Sequence, residues 1–174
     1  MRFAILGSGS QGNGTLVVHQ DTYVLVDCGF SLRETERRLA RLGVAPEQLS
    51  AILVTHEHAD HVHGVGLLSR RYNIPVYLSR GTLRALRKPL EPTGFVACGD
   101  VLEVGALKIN VVGVAHDALE PTQYVFSDGQ RRLGVLTDLG SYCGRVMDSY
   151  QDLDALVIES NHCRDLLARG AYPY

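Results

Sequence analysis

The feature that most constrains this chain is a run of seven residues that gathers four metal-binding side chains on one short turn. Residues 55–61 read Thr-His-Glu-His-Ala-Asp-His, and the candidate ligands are His56, His58, Asp60 and His61. The apolar, β-branched residues before them predict a buried strand that delivers the histidines into a loop at its carboxyl end. Side chains two apart in an extended chain point the same way, so His56 and His58 can reach one metal. Asp60 and His61, beyond the bend, can turn toward a second metal.

Two later residues follow apolar strands in the same way. His116 comes after the predicted strand 107–114, and Asp138 comes after the apolar run 133–137. His116 would give the first site a third neutral nitrogen, and Asp138 is a carboxylate able to bridge two cations. Each residue alone is typical of an ordinary polar strand end, and the motif alone has the alternative of a metal-free surface loop. Together they indicate a two-metal centre.

The ligand types indicate the chemistry. Neutral nitrogens with carboxylates, and no evident thiolate, suit zinc but also manganese or iron(II). Two cations sharing a water would lower its pKa to near neutral, give a hydroxide nucleophile and stabilise the oxyanion that forms. We therefore expect a metal-dependent hydrolase that needs no side-chain nucleophile. The hydroxide would attack phosphorus in a phosphodiester, or a carbonyl in an ester, thioester or lactam.

Composition predicts a compact soluble enzyme. At 174 residues with 45% hydrophobic content, the chain can bury one substantial core. No window approaches the 18 or more consecutive apolar residues of a membrane span, and the amino terminus is too short for a signal peptide. The four cysteines form no Cys-x-x-Cys pair, which is typical of reduced thiols. A cytoplasmic location is therefore expected.

The chain resembles the metallo-β-lactamase superfamily, whose members carry His-x-His-x-Asp-His followed by a later His, a later Asp and a final His. Within it, the chain is most similar to the YycJ (WalJ) group of bacterial exonucleases. Three segments carry that resemblance: 6–13 (Leu-Gly-Ser-Gly-Ser-Gln-Gly-Asn), 116–121 (His-Asp-Ala-Leu-Glu-Pro) and 159–162 (Glu-Ser-Asn-His). The resemblance implies two divalent metal ions, zinc or manganese. It also implies that Asp27 supports the metal loop without being a ligand.

The predicted elements agree with the four-layered αββα sandwich, in the α/β class, that the resemblance implies. We expect a single domain over 1–174. The predicted strands are 2–6, 15–19, 23–27, 51–55, 74–78, 101–104, 107–114, a hairpin over 122–137, and 155–158. Five helices are predicted. The first begins at Ser31 and is ended by Gly43, the second covers 60–72, and the third is short and ends before Pro89. The fourth covers 141–150, and the last begins at about His162. The glycine-rich residues 7–14 lack the Lys-Ser/Thr of a phosphate-binding P-loop and lead into a strand, so they predict a turn bordering the active site.

The chain departs from the superfamily pattern at its carboxyl end. The last ligand histidine is not where the pattern would put it, and family members normally continue beyond the Tyr-Pro segment at 172–173. We expect either a fragment or a short form, with the second metal site incomplete. His162 is the one histidine after Asp138. We favour a catalytic role for this residue over a role as metal ligand. In that role it would line the site and contact a phosphate or donate a proton. Asp60 is the other candidate catalytic residue.

The substrate is predicted from charge and from the resemblance. The net charge is −2, but residues 62–90 contain six cations and no acid, which is typical of a phosphate track or of a solvated helix surface. With the YycJ-like segments, this favours a phosphodiesterase or exonuclease acting on DNA, with Arg84 and Arg87 among its phosphate contacts. The alternatives are a hydrolase of a small cyclic phosphodiester or of a carbonyl ester or thioester, and an inactive metal-binding or interaction domain.

Overall fold

The computed structural model describes residues 1–159, which form two β-sheets with helices outside them. The first sheet has the strand order β1-β2-β3-β4-β5-β6. Strands β1, β2 and β3 are antiparallel neighbours, and β3 to β6 are parallel. The six strands are β1 Arg2–Gly7, β2 Gly14–His19, β3 Thr22–Val26, β4 Ala51–Leu53, β5 Val76–Leu78 and β6 Gly94–Phe95.

The second sheet has the order β11-β10-β9-β8-β7. Its pairs are antiparallel except for β10 and β11, which run parallel. The strands are β7 Val101–Val104, β8 Leu107–Gly113, β9 Thr122–Ser127, β10 Arg132–Leu136 and β11 Ala155–Ile158. Strands β8 and β10 point the same way, because each is antiparallel to β9. Their carboxyl ends therefore lie at the same end of the sandwich.

Three buried apolar clusters separate four layers. The first lies between the first sheet and its helices and includes Leu39 and Leu68. The second joins the facing sides of the two sheets, where Leu53 and Phe126 are fully buried. The third packs Val146 on the outer face of the second sheet. The helices are α1 Leu32–Arg41, α2 Ala59–Val62, α3 Val65–Tyr72, α4 Arg80–Ala85 and α5 Gly144–Ser149. The predicted αββα sandwich is confirmed.

The prediction of one helix over 60–72 is wrong, because the structure divides it into α2 and α3. Gly64 lies at the break, where its N–H donates to the carbonyl oxygen of Cys28 at 2.8 Å. A Cβ at Gly64 would come within 2.2 Å of the carbonyl oxygen of Phe30. This close approach to the segment after β3 bends the chain, and no local pattern signals it. The predicted helix at His162 lies outside the described residues.

The other elements lie within a few residues of their predicted bounds. Ser31 is the N-cap of α1 and its hydroxyl accepts from Glu34 N, whereas the Glu34 carboxylate binds Arg37 and Arg38 instead of closing a capping box. Strand β6 was not predicted. Among the described residues, no helix combines the length and the apolar character that a membrane span requires.

Candidate metal centre

Three imidazoles converge at one end of the sandwich, and we call His56, His58 and His116 the histidine group. His56 Nε2 lies 3.0 Å from His58 Nδ1, and His116 Nε2 lies 3.4 Å from the same atom. The ligand atoms of all three lie within 4.8 Å of one another. His56 is fully buried and its Nδ1 contacts the hydroxyl of Thr55 at 2.9 Å. His116 Nδ1 contacts the carboxylate of Asp117 at 3.0 Å. Three nitrogens that face one point are the arrangement that a cation satisfies.

A second cluster, the carboxylate group, consists of His56, His61 and Asp138. Asp138 Oδ2 lies 3.1 Å from His61 Nε2. This carboxylate oxygen is buried inside the centre. Asp60 is adjacent, with its Oδ2 3.6 Å from His61 Nε2. A buried carboxylate oxygen beside an imidazole nitrogen fits a cation, because both atoms can bind it.

The two groups come from both sheets. Asp27 and the 55–61 loop follow the parallel strands β3 and β4, whereas His116 and Asp138 follow β8 and β10. The loops of the second sheet are joined, since Gly140 N donates to the carbonyl oxygen of Ala115 at 2.8 Å. The sandwich therefore brings together candidate ligands that lie more than 80 positions apart in sequence.

Asp27 holds the 55–61 loop in place through contacts with its first and last residues. Its Oδ1 accepts from Thr55 N and its Oδ2 accepts from the Thr55 hydroxyl, both at 2.8 Å. Oδ2 also contacts His61 Nδ1 at 2.8 Å. Since a carboxylate accepts only, Nδ1 of His61 carries the hydrogen and Nε2 faces the centre. Asp27 has a positive φ of 60°, a conformation that Asp tolerates better than most residues.

The pKa values of two buried histidines, His56 and His61, are shifted in opposite directions. Burial, followed by the neighbouring imidazoles, lowers the pKa of His56 to about 2, so that His56 is neutral and ready to bind a cation. Burial alone would lower the pKa of His61, but the carboxylates of Asp27 and Asp138 raise it to about 10. A cation between His61 and Asp138 would therefore replace a proton on the imidazole.

Asn13 contacts the carboxylate side of the centre and was missed by the sequence analysis. Its Nδ2 donates to Asp60 Oδ2 at 3.0 Å and lies 3.0 Å from His61 Nε2. The Asn13 side chain is held in the turn, since its Oδ1 accepts from Gly9 N at 2.9 Å. The glycine-rich turn was predicted to border the site, but no pattern singled out its asparagine.

Glu57 and Glu120 join the metal loop to its surroundings. Glu57 Oε1 accepts from Leu119 N at 2.8 Å, in the loop that carries His116. Glu120 Oε2 accepts from Gly81 N at 2.6 Å, and its carbonyl oxygen accepts from the hydroxyl of Ser79 at 2.7 Å. The loop after β8 is thereby fastened to the start of α4. His162, the remaining candidate site residue, lies outside the described residues.

The chain matches a known protein family and several known proteins. The family model described as the metallo-beta-lactamase superfamily matches residues 7–158. The chain is 36% identical over 179 residues to exodeoxyribonuclease YycJ of Bacillus anthracis, covering 100% of this chain and 68% of that protein. It is 33% identical over 180 residues to exodeoxyribonuclease WalJ of Streptococcus pneumoniae, covering 99% and 67%. The chain thus spans about two thirds of the length of these relatives.

A solved structure shows the same fold. The metallo-beta-lactamase fold protein YhfI from Bacillus subtilis superposes with a TM-score of 0.75 at 19% identity. The match covers 94% of this chain and 73% of that one. At this identity the likeness concerns the fold alone.

Proposed function

The chain belongs to the metallo-β-lactamase superfamily of metal-dependent hydrolases, and from that premise we propose that it is an exonuclease that removes nucleotides from DNA. The observation that carries the proposal is the similarity, over the whole chain, to two proteins named exodeoxyribonucleases. The convergence of two candidate ligand groups supports the hydrolytic part. We further propose that 1–174 is a single domain, and a cytoplasmic location stays a prediction.

The ligand assignments are part of the proposal. We assign His56, His58 and His116 to one divalent cation, and His61, Asp138 and Asp60 to another, with zinc or manganese as the metal. When bound, such cations lower the pKa of a water toward neutrality and offset the charge that develops on a phosphate. The side-chain contacts fit this assignment, because imidazole nitrogens converge at one position and a buried carboxylate oxygen lies beside an imidazole nitrogen at the other.

The remaining residues would orient the ligands. Asp27 fixes the ring of His61 through Nδ1, and Thr55 contacts Nδ1 of His56. Such outer contacts set the tautomer of a ligand imidazole and its direction. Asn13 holds the carboxylate of Asp60, which in our proposal positions the attacking water. We also propose a catalytic role for His162.

A substrate panel tests the proposed function. The metal-loaded protein and a His116→Ala variant would be compared on single-stranded DNA, duplex DNA, a cyclic dinucleotide, nitrocefin and a thioester. We expect release of mononucleotides from DNA, and a loss of at least about 100-fold in His116→Ala, since even residues that only support a metal ligand are worth 10–100-fold. Hydrolysis of the thioester or nitrocefin with no action on DNA would contradict the proposal. Activity that is equal in the variant would exclude the histidine group from catalysis.

A further inference from the structure

A cavity of about 670 Å³ opens beside the histidine group, between α2, α3 and the segment 85–90. We call it the α3 cavity. Glu57 and His58 form part of its lining. Because His58 belongs to the histidine group, a molecule in the cavity would lie directly against the candidate metal centre. The volume is within the roughly 300–1,000 Å³ that is usual for small-ligand sites.

The α3 cavity is rich in unneutralised positive charge. Arg70, Arg87 and Lys88 line it, and none of them belongs to the ion pairs found among residues 1–159. The one acid in the lining is Glu57, one oxygen of which is engaged by Leu119 N. Three cations against one acid favour an anionic ligand.

Neighbouring arginines of the same basic stretch are engaged elsewhere. Arg71 contacts Glu36 at 3.5 Å, and the guanidinium of Arg80 lies over the ring of Phe95 at 4.2 Å. Arg84 is exposed but does not line the cavity. The stretch predicted from sequence to bind phosphate is therefore divided, and Arg70, Arg87 and Lys88 are its cavity-facing part.

The cavity also presents apolar surface. Leu67, an apolar residue of α3, is 51% exposed. It lines the α3 cavity together with the three cations. Further apolar residues of the lining are Val62, Leu86, Pro89 and Leu90. Inorganic phosphate would use the charges alone. A nucleotide would use both surfaces, because its base can pack on apolar side chains and on arginine planes while its phosphate meets the cations.

A second cavity, of about 520 Å³, shares Ala59 and His63 with the lining of the α3 cavity and is a poorer match for an anion. Its cation, Arg38, is bound to Glu34 at 2.7 Å, and its lining also includes Asp60. The α3 cavity thus offers an anion both unpaired cations and apolar surface, whereas the cation of the second cavity is already paired with an acid.

We propose that the α3 cavity is a nucleotide subsite, which holds the nucleotide that adjoins the scissile phosphate of a DNA strand. The inference rests on the proposed function, since it names where that function's substrate binds. Arg70, Arg87 and Lys88 contact the phosphates on that nucleotide, and Leu67 packs against its base. The proximity of His58 places the scissile phosphate over the histidine group.

The test compares substrates that differ by one nucleoside. The kcat/KM values of thymidine 5′-(4-nitrophenyl phosphate) and of its 3′ isomer would each be divided by that of bis(4-nitrophenyl) phosphate. We expect a clear preference for one nucleoside ester. The preference should fall roughly tenfold in Arg87→Ala, the usual size of one lost charged contact, and further in Arg70→Ala/Arg87→Ala and in Leu67→Asp.

Arg33→Ala is the matched control, since Arg33 is an exposed arginine on α1 outside the cavity lining. It should keep the wild-type preference. An unchanged preference in the double variant and in Leu67→Asp would overturn the subsite. So would a wild-type enzyme that treats the nucleoside esters and the simple diester alike.

A binding measurement separates the subsite from the proposed function. The dinucleotide pTpT would be titrated into wild type and Arg70→Ala/Arg87→Ala, and the leucine methyl signals followed by NMR. Shifts at Leu67, Leu86 and Leu90 that the double variant loses would support the subsite even if no DNA were cleaved, and the proposed function alone would then fail. Cleavage of DNA without any shift at these leucines would overturn the subsite and leave the function standing.

Discussion

In each of the two ligand groups of the candidate metal centre, one histidine is paired with an aspartate outside the group, and the two pairs lie in different surroundings. Asp27 and His61, 2.8 Å apart, are both buried. In the other pair, Asp117 lies 3.0 Å from His116; the side chain of His116 is half-buried, whereas that of Asp117 is 83% exposed. Asp27 has further hydrogen bonds to Thr55. The aspartate that orients His61 is therefore built into the core, whereas the aspartate that contacts His116 is open to solvent.

This difference separates two ways of orienting a metal ligand. A buried carboxylate that accepts several hydrogen bonds also holds the fold, because its removal leaves donors without partners. An exposed carboxylate can orient an imidazole but contributes little to stability, since water replaces it. Matched substitutions in the two pairs can measure the difference.

The largest effect is expected from Asp27→Ala. Thr55 N, the Thr55 hydroxyl and His61 Nδ1 would lose their common acceptor in a buried site. We expect the free energy of unfolding to fall by about 3 kcal/mol, as measured by urea denaturation. Asp27→Asn should recover part of the loss, because Asn tolerates the positive φ and can still accept from Thr55.

The matched change is Asp117→Ala, which we expect to alter the unfolding free energy by no more than about 0.5 kcal/mol. A loss in Asp117→Ala as large as that in Asp27→Ala would show that the exposed pair is also structural. The contrast between the two groups would then be wrong.

The next effect concerns metal retention. The ring of His56 is shared by the two groups, and its Nε2 lies with the histidine group, 3.0 Å from His58 Nδ1. The carboxylate group is then left with His61, Asp138 and an Asp60 whose Oδ2 is bound to Asn13. We therefore expect the histidine group to retain its metal through gel filtration and the carboxylate group to release it.

Metal analysis and urea denaturation with added zinc would measure this. Zinc at 100 times its Kd adds about 2.7 kcal/mol of stability. His58→Ala should remove most of that gain, and Asp138→Ala a smaller part. The reverse order would show that the carboxylate group is the tighter site. The chelated protein should remain folded, because the three apolar clusters do not involve the ligands.

Features that depend on residues close together in the sequence could be predicted. The 55–61 motif follows a three-residue buried strand, as the pattern of apolar residues indicated. His116 and Asp138 were recognised because each follows an apolar strand. Their approach to the motif depends on β8 and β10 pointing the same way, which pairing with β9 determines. The resemblance to a known fold supplied that step, and spacing alone did not.

Long-range contacts were not predictable in the same way. The break at Gly64 comes from backbone packing against Phe30, more than 30 positions earlier. The division of the basic stretch depends on which side chains face the α3 cavity. A count of charged residues in the sequence does not show which way each side chain points. Glu57 was given no role in the sequence analysis, yet its carboxylate accepts from Leu119 N, 62 residues away. Such contacts are visible only once both sheets are in place.

Apart from the matched change at Asp117, Asn13 gives the smallest of the predicted effects, and it is the sharpest test of the carboxylate group. Its amide donates to Asp60 Oδ2 and lies beside His61 Nε2. We expect Asn13→Ala to lower kcat/KM on DNA roughly tenfold and the unfolding free energy by about 1 kcal/mol. Asn13→Asp should lower activity further, because it sets a second carboxylate against Asp60. Gln11→Ala removes an exposed amide from the same turn and should match wild type. If Gln11→Ala lost as much activity as Asn13→Ala, the conformation of the turn and not the amide of Asn13 would be what the carboxylate group requires.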